Sequence, residues 1–207
     1  ETFVGLQGSW GPVKVGNCLA PYDDIHPIFG NVPTLTSSIL STAALWAQAS
    51  QSPTAGGFDA RLGNSIRYDS PRIAGFLGSV QISQLDASSG QGGVGIGNAA
   101  TEQRHAYILS TGAFYTNGPF TGGIAYEAHN KVRFPTTNDW AFSVAANWNF
   151  GIVKIGGVWE RLDYDATYGA TNVTGGSLTR NFWAISATAP IGPGEMYAQY
   201  GTAGDGS

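Results

Sequence analysis

Three residues in one short stretch have side chains that could bind a divalent cation. Asp23, Asp24 and His26 supply two carboxylates and an imidazole, and oxygen-rich loops sometimes hold a metal ion. Two adjacent carboxylates in a polar loop are more often simply solvated, so we expect no metal here. The other histidines, His105 and His129, lie on separate segments without a G-x-S-x-G or H-E-x-x-H motif. This argues against a serine hydrolase and a zinc protease.

A glycine-rich stretch is the second candidate for chemistry. Gly95, Gly97 and Ala100 form a G-x-G-x-x-A pattern, which occurs in dinucleotide-binding sites. No buried parallel strand is predicted before it and no helix with a ribose-binding acid after it, so we interpret the stretch as a flexible outer loop. The single cysteine, Cys18, excludes an internal disulfide framework and a multi-cysteine metal site. The sequence therefore predicts neither an enzyme nor a cofactor.

The composition indicates a β protein whose surroundings are not only water. Of its 207 residues, 42% are hydrophobic and 12% are charged, whereas soluble domains have about 25% charged residues. Thirty glycines and ten prolines indicate short strands and many turns. No apolar run reaches the roughly 18 residues of a membrane helix, so a membrane-spanning form would have to be a closed barrel. The net charge of −4 argues against a nucleic-acid partner.

The segment 140–150 alternates strictly between apolar residues and small or polar ones, which is the period of a β-strand with one apolar face. Trp140 and Trp148 lie on that face, at a separation close to that of the two aromatic girdles of a membrane barrel. Trp159 and Trp183 occupy the apolar faces of two further strands. We assign these four tryptophans to girdles at the lipid headgroups. The alternative is that they are core residues of a soluble domain.

The opposite face of these strands is small or polar. Lys154 and Glu160 lie on it in one strand, and burying such charges without partners would cost several kcal/mol each. A water-filled lumen would hydrate both side chains, so we interpret them as lumen charges. The alternative is a one-sided antiparallel sheet whose polar face meets solvent.

Short and long connections alternate along the chain. The short ones, rich in Gly, Pro and Asn, are 8–12, 70–75, 116–119, 149–151 and 190–194. The long ones are 18–60, 85–103, 128–139 and 162–178. Bacterial barrels have this order, because short turns lie on the periplasmic side and long loops lie outside. We therefore predict one all-β domain over 1–207, an antiparallel up-and-down barrel that is incomplete at both ends. Its ten strands are predicted at 2–7, 13–17, 61–69, 76–84, 104–115, 120–127, 140–149, 152–161, 179–189 and 195–200.

Two stretches carry a family resemblance. Residues 3–17, FVGLQGSWGPVKVGN, and residues 59–78, DARLGNSIRYDSPRIAGFLG, resemble the general porins of Gram-negative outer membranes. Residues 3–17 are similar to the family's FxGLK…G…LGR hairpin, and residues 59–78 are similar to the strand pair that follows the constriction loop. The resemblance implies a transmembrane barrel of about 16 strands, with about ten in this chain, in the lipid bilayer of the outer membrane. It also implies a homotrimer and a connection 18–60 that folds into the barrel as the constriction loop.

The resemblance further implies which residues form the constriction. Asp23 and Asp24 resemble the acidic start of the loop, and Arg61 matches a basic residue of the opposite wall. Two departures weaken the expected transverse field. Asn17 replaces the arginine of the LGR motif, and Ile28 stands where the family has a glutamate.

Alternation along the strand that begins at Arg61 predicts the sides of its neighbours. Arg67 and Asp69 then share the lumen side with Arg61, and Leu62 points outward. Arg67 joins Arg61 as the predicted basic wall of the constriction, and Asp69 is a further lumen charge.

The sequence does not determine which residues of the preceding strand face the lumen. If Asn17 faces the lumen, strict alternation turns Val13 and Val15 inward and Lys14 outward. A bulge, or burial of this hairpin at a trimer contact, would remove the conflict.

These features together predict a passive diffusion channel for ions and small hydrophilic solutes in the outer membrane. Two alternatives stay open. One is a soluble secreted β-sandwich, such as a carbohydrate-binding module that uses exposed tryptophans as stacking platforms. The other is a barrel that acts mainly as an adhesin or surface antigen through its outer loops.

Overall fold

A computed structural model describes residues 1–29, 58, 61–85, 105–132, 137–165, 168–169, 172–173 and 177–204. Its strands form one antiparallel sheet of ten strands and one small two-stranded hairpin. In chain order they are β1 (Thr2–Gly8), β2 (Gly11–Leu19), β3 (Arg61–Asp69), β4 (Phe76–Leu85), β5 (Ala106–Asn117), β6 (Phe120–Asn130), β7 (Asn138–Asn149), β8 (Lys154–Tyr164), β9 (Tyr168–Gly169), β10 (Asn172–Val173), β11 (Leu178–Ile191) and β12 (Gly194–Ala203). A 3₁₀ turn (Asp23–Ile25) and the short helix α1 (His26–Phe29) follow β2. No helix in these ranges is long and apolar enough to cross a membrane.

The sheet follows the order of the chain. It runs from β1 through β8 and then to β11 and β12, while β9 and β10 pair with each other inside the connection between β8 and β11. This up-and-down order confirms the ten predicted strands, whose limits shift by a few residues. A soluble sandwich needs two large packed sheets. The described residues form one large sheet, so the fold does not support that alternative.

One face of the sheet, here called the inner face, is covered by residues 20–29 and by Phe58. Tyr22, Ile25 and Phe29 are buried against it. Apolar side chains such as Ile108, Leu162 and Phe182 share this face with many small or polar ones, which the alternation predicts. Buried examples are Ser79, Gln81, Ser83, Ser110, Glu127, Ser143, Glu160 and Ser186. The core of the described chain therefore lies between the sheet and one inward-folded segment.

The opposite, outer face carries the exposed apolar side chains. Trp148, Trp159 and Trp183 expose 45%, 40% and 43% of their surfaces there, and Trp140 stacks on Tyr126 with ring centroids 6.3 Å apart. Beside the short turns, a row of neighbouring rings consists of Phe76, Tyr115, Phe120, Trp148 and Phe150. Exposed apolar side chains in this number suit contact with a nonpolar medium better than contact with water.

A bulge in β3 changes which of its side chains face inward. Gly16 of β2 pairs with Ser65, but Cys18 pairs with Leu62, so β3 has one residue more than β2 over this stretch. Asn64 lies at the bulge with a φ of 49°, a left-handed conformation that asparagine tolerates better than most residues. Because of the extra residue, the residues of β3 that precede Asn64 face the side opposite to the one that strict alternation predicts.

The bulge corrects the sides predicted for the start of β3. Leu62 is buried in the core, and Arg61 is exposed. Arg67 and Asp69, which follow the bulge, are buried on the inner face as predicted. The shared face predicted for Arg61 and Arg67 is therefore wrong, because strict alternation does not hold across Asn64.

Candidate pore constriction

The segment that leaves β2 turns at once onto the inner face. Pro21 has a fixed φ that suits a tight turn, and the backbone N–H groups of Asp23 and Asp24 donate to the carbonyls of Ala20 and Pro21. The turn leads into α1, which packs against β6, β7 and β8. Residues 20–29 therefore cross the inner face from β2 to the far side of the sheet.

Arg67 joins the beginning of this segment to the wall. Its Nη2 donates to Oδ2 of Asp24 at 2.6 Å, and its Nη1 donates to the backbone carbonyl of Leu19 at 2.7 Å. Its Nε donates to Oδ1 of Asp69 at 2.9 Å. One buried guanidinium thus connects loop and strand through two carboxylates, and charge-assisted hydrogen bonds of this kind are roughly twice as strong as neutral ones.

Asp69 also contacts both neighbouring strands. Ser79 of β4 donates to its Oδ1 at 2.7 Å, and Nζ of Lys14 in β2 lies 3.5 Å from its Oδ2. Lys14 therefore faces inward, while its neighbour Val15 is exposed on the outer face. The structure thereby settles the sides that the sequence left open for these two residues.

The two aspartates of the turn have different partners. Oδ1 of Asp23 lies 2.7 Å from Nδ1 of His26, whereas Asp24 faces Arg67. Burial raises the pKa of Asp24 above its ordinary value, and Arg67 opposes part of that rise. The carboxyl next to Arg67 therefore takes up a proton at a higher pH than a solvent-exposed aspartate does.

Side-chain donors of the wall hold the backbone at the far end of the segment. Asn147 of β7 donates to the carbonyl of Ile28 at 2.6 Å, and Ser186 of β11 donates to the carbonyl of Phe29 at 2.8 Å. A helix of four residues leaves its last carbonyls without intrahelical partners, so these wall side chains satisfy them. Gly156 of β8 allows the approach, since a Cβ there would lie 3.3 Å from the oxygen of Phe29.

Aromatic rings cover the wall between the contact with Arg67 and the far end of the segment. Tyr22 donates its hydroxyl to Oε2 of Glu160 at 2.6 Å, and its backbone N–H donates to Oγ of Ser110 at 3.0 Å. The ring of Phe58 lies 6.3 Å from that of Tyr22 and 4.4 Å from that of His129, between centroids. Burial, together with the neighbouring carboxyl of Glu160, raises the pKa of Tyr22 well above its usual range.

The two lumen charges predicted on β8 have different surroundings. Glu160 is completely buried and accepts the hydrogen bond from Tyr22. The expectation that lumen water hydrates Glu160 is therefore wrong, because a phenolic hydroxyl takes the place of that water. Lys154 is half-buried near the short turns and lines a cavity of about 270 Å³ together with Thr188 and Glu195.

The structure brings together three of the four residues predicted for the constriction. Asp23 and Asp24 lie on the turn, Arg67 binds Asp24, and Arg61 is exposed at the start of β3. Sequence reasoning did not assign Lys14 to this cluster, although its alternation with two valines was a visible signal. The glycine-rich stretch 95–100 and most of the connection 18–60 lie outside the described residues.

A second polar pair was missed on β6. Nε2 of His129 lies 2.8 Å from Oε1 of Glu127, and both residues are buried. Their spacing of two residues puts them on one face of a strand, and the sequence alone could have predicted this. The sequence did not predict that Phe58 covers His129, because this contact joins distant segments of the chain.

Comparisons with known proteins agree on one family. The whole chain, residues 1–207, matches the family model described as Gram-negative porin. A chitoporin of Vibrio furnissii is 32% identical over 144 residues, which cover 68% of this chain and 33% of the relative. The outer membrane porin protein 32 of Delftia acidovorans is 24% identical over 205 residues, 97% of this chain and 52% of the relative. This chain thus spans about half the length of these relatives or less.

Solved structures show the same fold. An anion-selective porin from Comamonas acidovorans superposes with a TM-score of 0.72 at 21% identity, over 96% of this chain and 55% of that one. Another porin superposes with a TM-score of 0.55 at 18% identity, over 96% of this chain and 64% of that one. The ten strands are therefore a segment of a porin-type β-barrel wall.

Proposed function

This chain belongs to the Gram-negative porin family, and we propose that the whole protein is a passive diffusion channel for ions and small hydrophilic solutes. It is a protein of the outer membrane of Gram-negative bacteria. Its outer face, with the exposed apolar side chains, contacts the lipid bilayer. Solutes then pass along the opposite side of the wall.

The observation that carries the proposal is the segment 20–29. It crosses the inner face and is held at both ends, by Arg67 near β2 and by Ser186 of β11. A segment fixed across the inside of a barrel reduces the cross-section that is open to water. The passage beside it limits the size of the solutes that cross.

Charged side chains at this narrowing give it a preference among ions. Asp23, Asp24 and Asp69 supply negative charge, and Lys14 and Arg67 supply positive charge. Arg67 is largely neutralised by its two aspartates, so Lys14 is the cation of this wall that is more open to passing anions. We therefore assign Lys14, and no longer Arg61, to the basic residues of the proposed constriction.

The tryptophans and the assembly form part of the same proposal. Trp140, Trp148, Trp159 and Trp183 lie at the lipid boundary as aromatic anchors, a role supported by the exposure of three of them on the outer face. The complete barrel assembles as a homotrimer. Chemical cross-linking of the complete protein in detergent tests the assembly, and a monomer as the only species would contradict it.

Electrical recording tests the channel directly. The complete protein, reconstituted in a planar bilayer, is expected to give discrete steps of conductance that grow with salt concentration. Flux of uncharged sugars of increasing size into liposomes would locate the size limit. A complete, correctly folded protein that gives no steps and no flux would contradict a channel function and leave binding through the outer loops as the better explanation.

A further inference from the structure

A cavity of about 390 Å³ lies on the inner face beside α1, near the turns that follow β1 and β3. Its volume falls within the roughly 300–1,000 Å³ that is usual for sites of small ligands. Two carboxylates, two guanidinium groups and three apolar side chains line it. The charged residues are Asp24, Arg67, Asp69 and Arg72, and the apolar ones are Ile28, Leu77 and Phe114.

The two carboxylates in this cavity keep acceptor capacity that the hydrogen bonds of the described residues do not fill. Arg67 engages Oδ2 of Asp24 and Oδ1 of Asp69, and Ser79 also donates to the latter. Among the described residues, Lys14 lies 3.5 Å from Oδ2 of Asp69, and no donor bonds Oδ1 of Asp24. A carboxylate accepts hydrogen bonds on both oxygens. This side of the cavity can therefore accept further N–H groups.

Arg72 supplies a cation on another side of the cavity. Its Nη1 donates to the backbone carbonyl of Gly75 at 2.8 Å, and no carboxylate within the described ranges pairs with it. Arg72 follows Asp69 by three residues, so their Cα atoms are at most about 11 Å apart. Among the described residues, the cavity thus presents a guanidinium without a carboxylate partner, within reach of carboxylates that still have acceptor capacity.

We propose that this cavity is a binding subsite for zwitterionic solutes with an apolar side chain, such as amino acids and dipeptides. The ammonium group of the solute binds Asp24 and Asp69, its carboxylate binds Arg72, and its side chain packs on Ile28, Leu77 and Phe114. The four charged residues of the lining sum to zero, which matches a zwitterion better than a simple anion or cation. The inference rests on the proposed channel function, since the solute reaches the cavity through the pore.

Current recordings of the complete protein in a planar bilayer test the subsite. Leucyl-glycine is expected to interrupt the current in a concentration-dependent way. Three relatives of this peptide each lack one feature: N-acetyl-leucyl-glycine lacks the ammonium group, leucyl-glycinamide lacks the carboxylate, and glycyl-glycine lacks the apolar side chain. The apparent Kd of each charge-deleted peptide is expected to be about tenfold higher, as for the loss of one charge-assisted hydrogen bond.

The substitution Arg72→Gln tests the role of the guanidinium. It is expected to raise the Kd for leucyl-glycine about tenfold and to leave the Kd for leucyl-glycinamide unchanged, because that peptide has no carboxylate. Arg161→Gln is the matched control. It removes the same charge from the outer face, where Arg161 lies over the ring of Trp140, and should leave both values unchanged.

The result that would contradict the proposed subsite differs from the result that would contradict the proposed channel function. Equal interruption by N-acetyl-leucyl-glycine, or an unchanged Kd in Arg72→Gln, would contradict a zwitterion site. Steady conductance that leucyl-glycine does not interrupt would also contradict the subsite, while leaving the channel intact. Absence of any conductance would instead contradict the proposed function itself.

Discussion

The same segment, 20–29, meets the barrel wall in two regions that differ in chemistry. In the first, here called the charged anchor, Arg67 binds Asp24 and Asp69. In the second, here called the aromatic cover, Tyr22 and Phe58 lie completely buried over the inner face. The charged anchor fixes the position of charges beside the passage, whereas the aromatic cover excludes water from the wall behind it.

The difference indicates which region contributes more to stability. Burying a large side chain contributes roughly 1.5–3 kcal/mol. Ion pairs that remain partly exposed contribute about 0–1 kcal/mol, and the side chain of Asp24 remains 31% exposed. We infer that the aromatic cover holds the segment in place and that the charged anchor mainly determines the electric field. The following experiments separate the two roles.

The largest effect is expected for Phe58→Ala. Removing a buried phenylalanine ring typically costs about 3–5 kcal/mol, and here it also exposes the rings of Tyr22 and His129. Amide hydrogen exchange of residues 22–25 in the complete protein should become faster. Phe150→Ala, at an exposed position of the outer face, is the control and should leave this exchange unchanged. Equal exchange in both variants would show that the aromatic cover does not hold the segment.

A smaller effect is expected for Tyr22→Phe. The ring stays, but Glu160 loses the hydroxyl that donates to its Oε2, and removing one partner of a buried hydrogen bond costs about 1–3 kcal/mol. The same exchange measurement should show an intermediate acceleration. Tyr107→Phe, on the outer face, is the matched control. If Tyr22→Phe behaves like this control, the hydrogen bond to Glu160 does not stabilise the segment.

The charged anchor is tested by Arg67→Gln. Removing this inward cation deprives Asp24 and Asp69 of the guanidinium that partly neutralises them, so the reversal potential in a salt gradient should shift toward cation preference. Arg61→Gln removes the same charge from the exposed start of β3 and should give a much smaller shift. A larger shift for Arg61→Gln would contradict the inversion of sides across the bulge.

The smallest effect is expected from the titration of Asp24. Because burial raises the pKa of this carboxyl, it loses its negative charge on acidification earlier than an ordinary aspartate of pKa about 3.9. The balance of charge beside the passage then becomes more positive. Selectivity should therefore move toward anions as the pH falls through the raised pKa of Asp24. Asp24→Asn should remove this step, and a step that persists unchanged would assign it to another group.

The regular part of the fold was predictable, because a period of two residues is a local property. Trp140 to Trp148 revealed one face of β7, and the alternation of short and long connections revealed the order of the strands. The role of Asp23 and Asp24 in a constriction was predicted only through the family resemblance. Its contact with Arg67 follows from the way the chain folds back over more than forty residues.

Two features could not be predicted for different physical reasons. The bulge adds one residue to β3, and strict alternation assumes that no residue is added, so it gave the wrong side for Leu62. The burial of Glu160 depends on Tyr22, which lies more than a hundred residues earlier in the chain. No local pattern specifies a contact over such a separation.

The bulge at Asn64 also indicates how a wall of this kind can change its pattern of charge without a change in charge content. Deleting that one residue would restore strict alternation, bring Arg61 to the inner face and turn Leu62 toward the outer face. Every ionisable group would be retained, yet the potential felt by a passing ion would differ. Selectivity in such a wall can therefore change through a length difference of a single residue, without any substitution in the amino acids that carry charge.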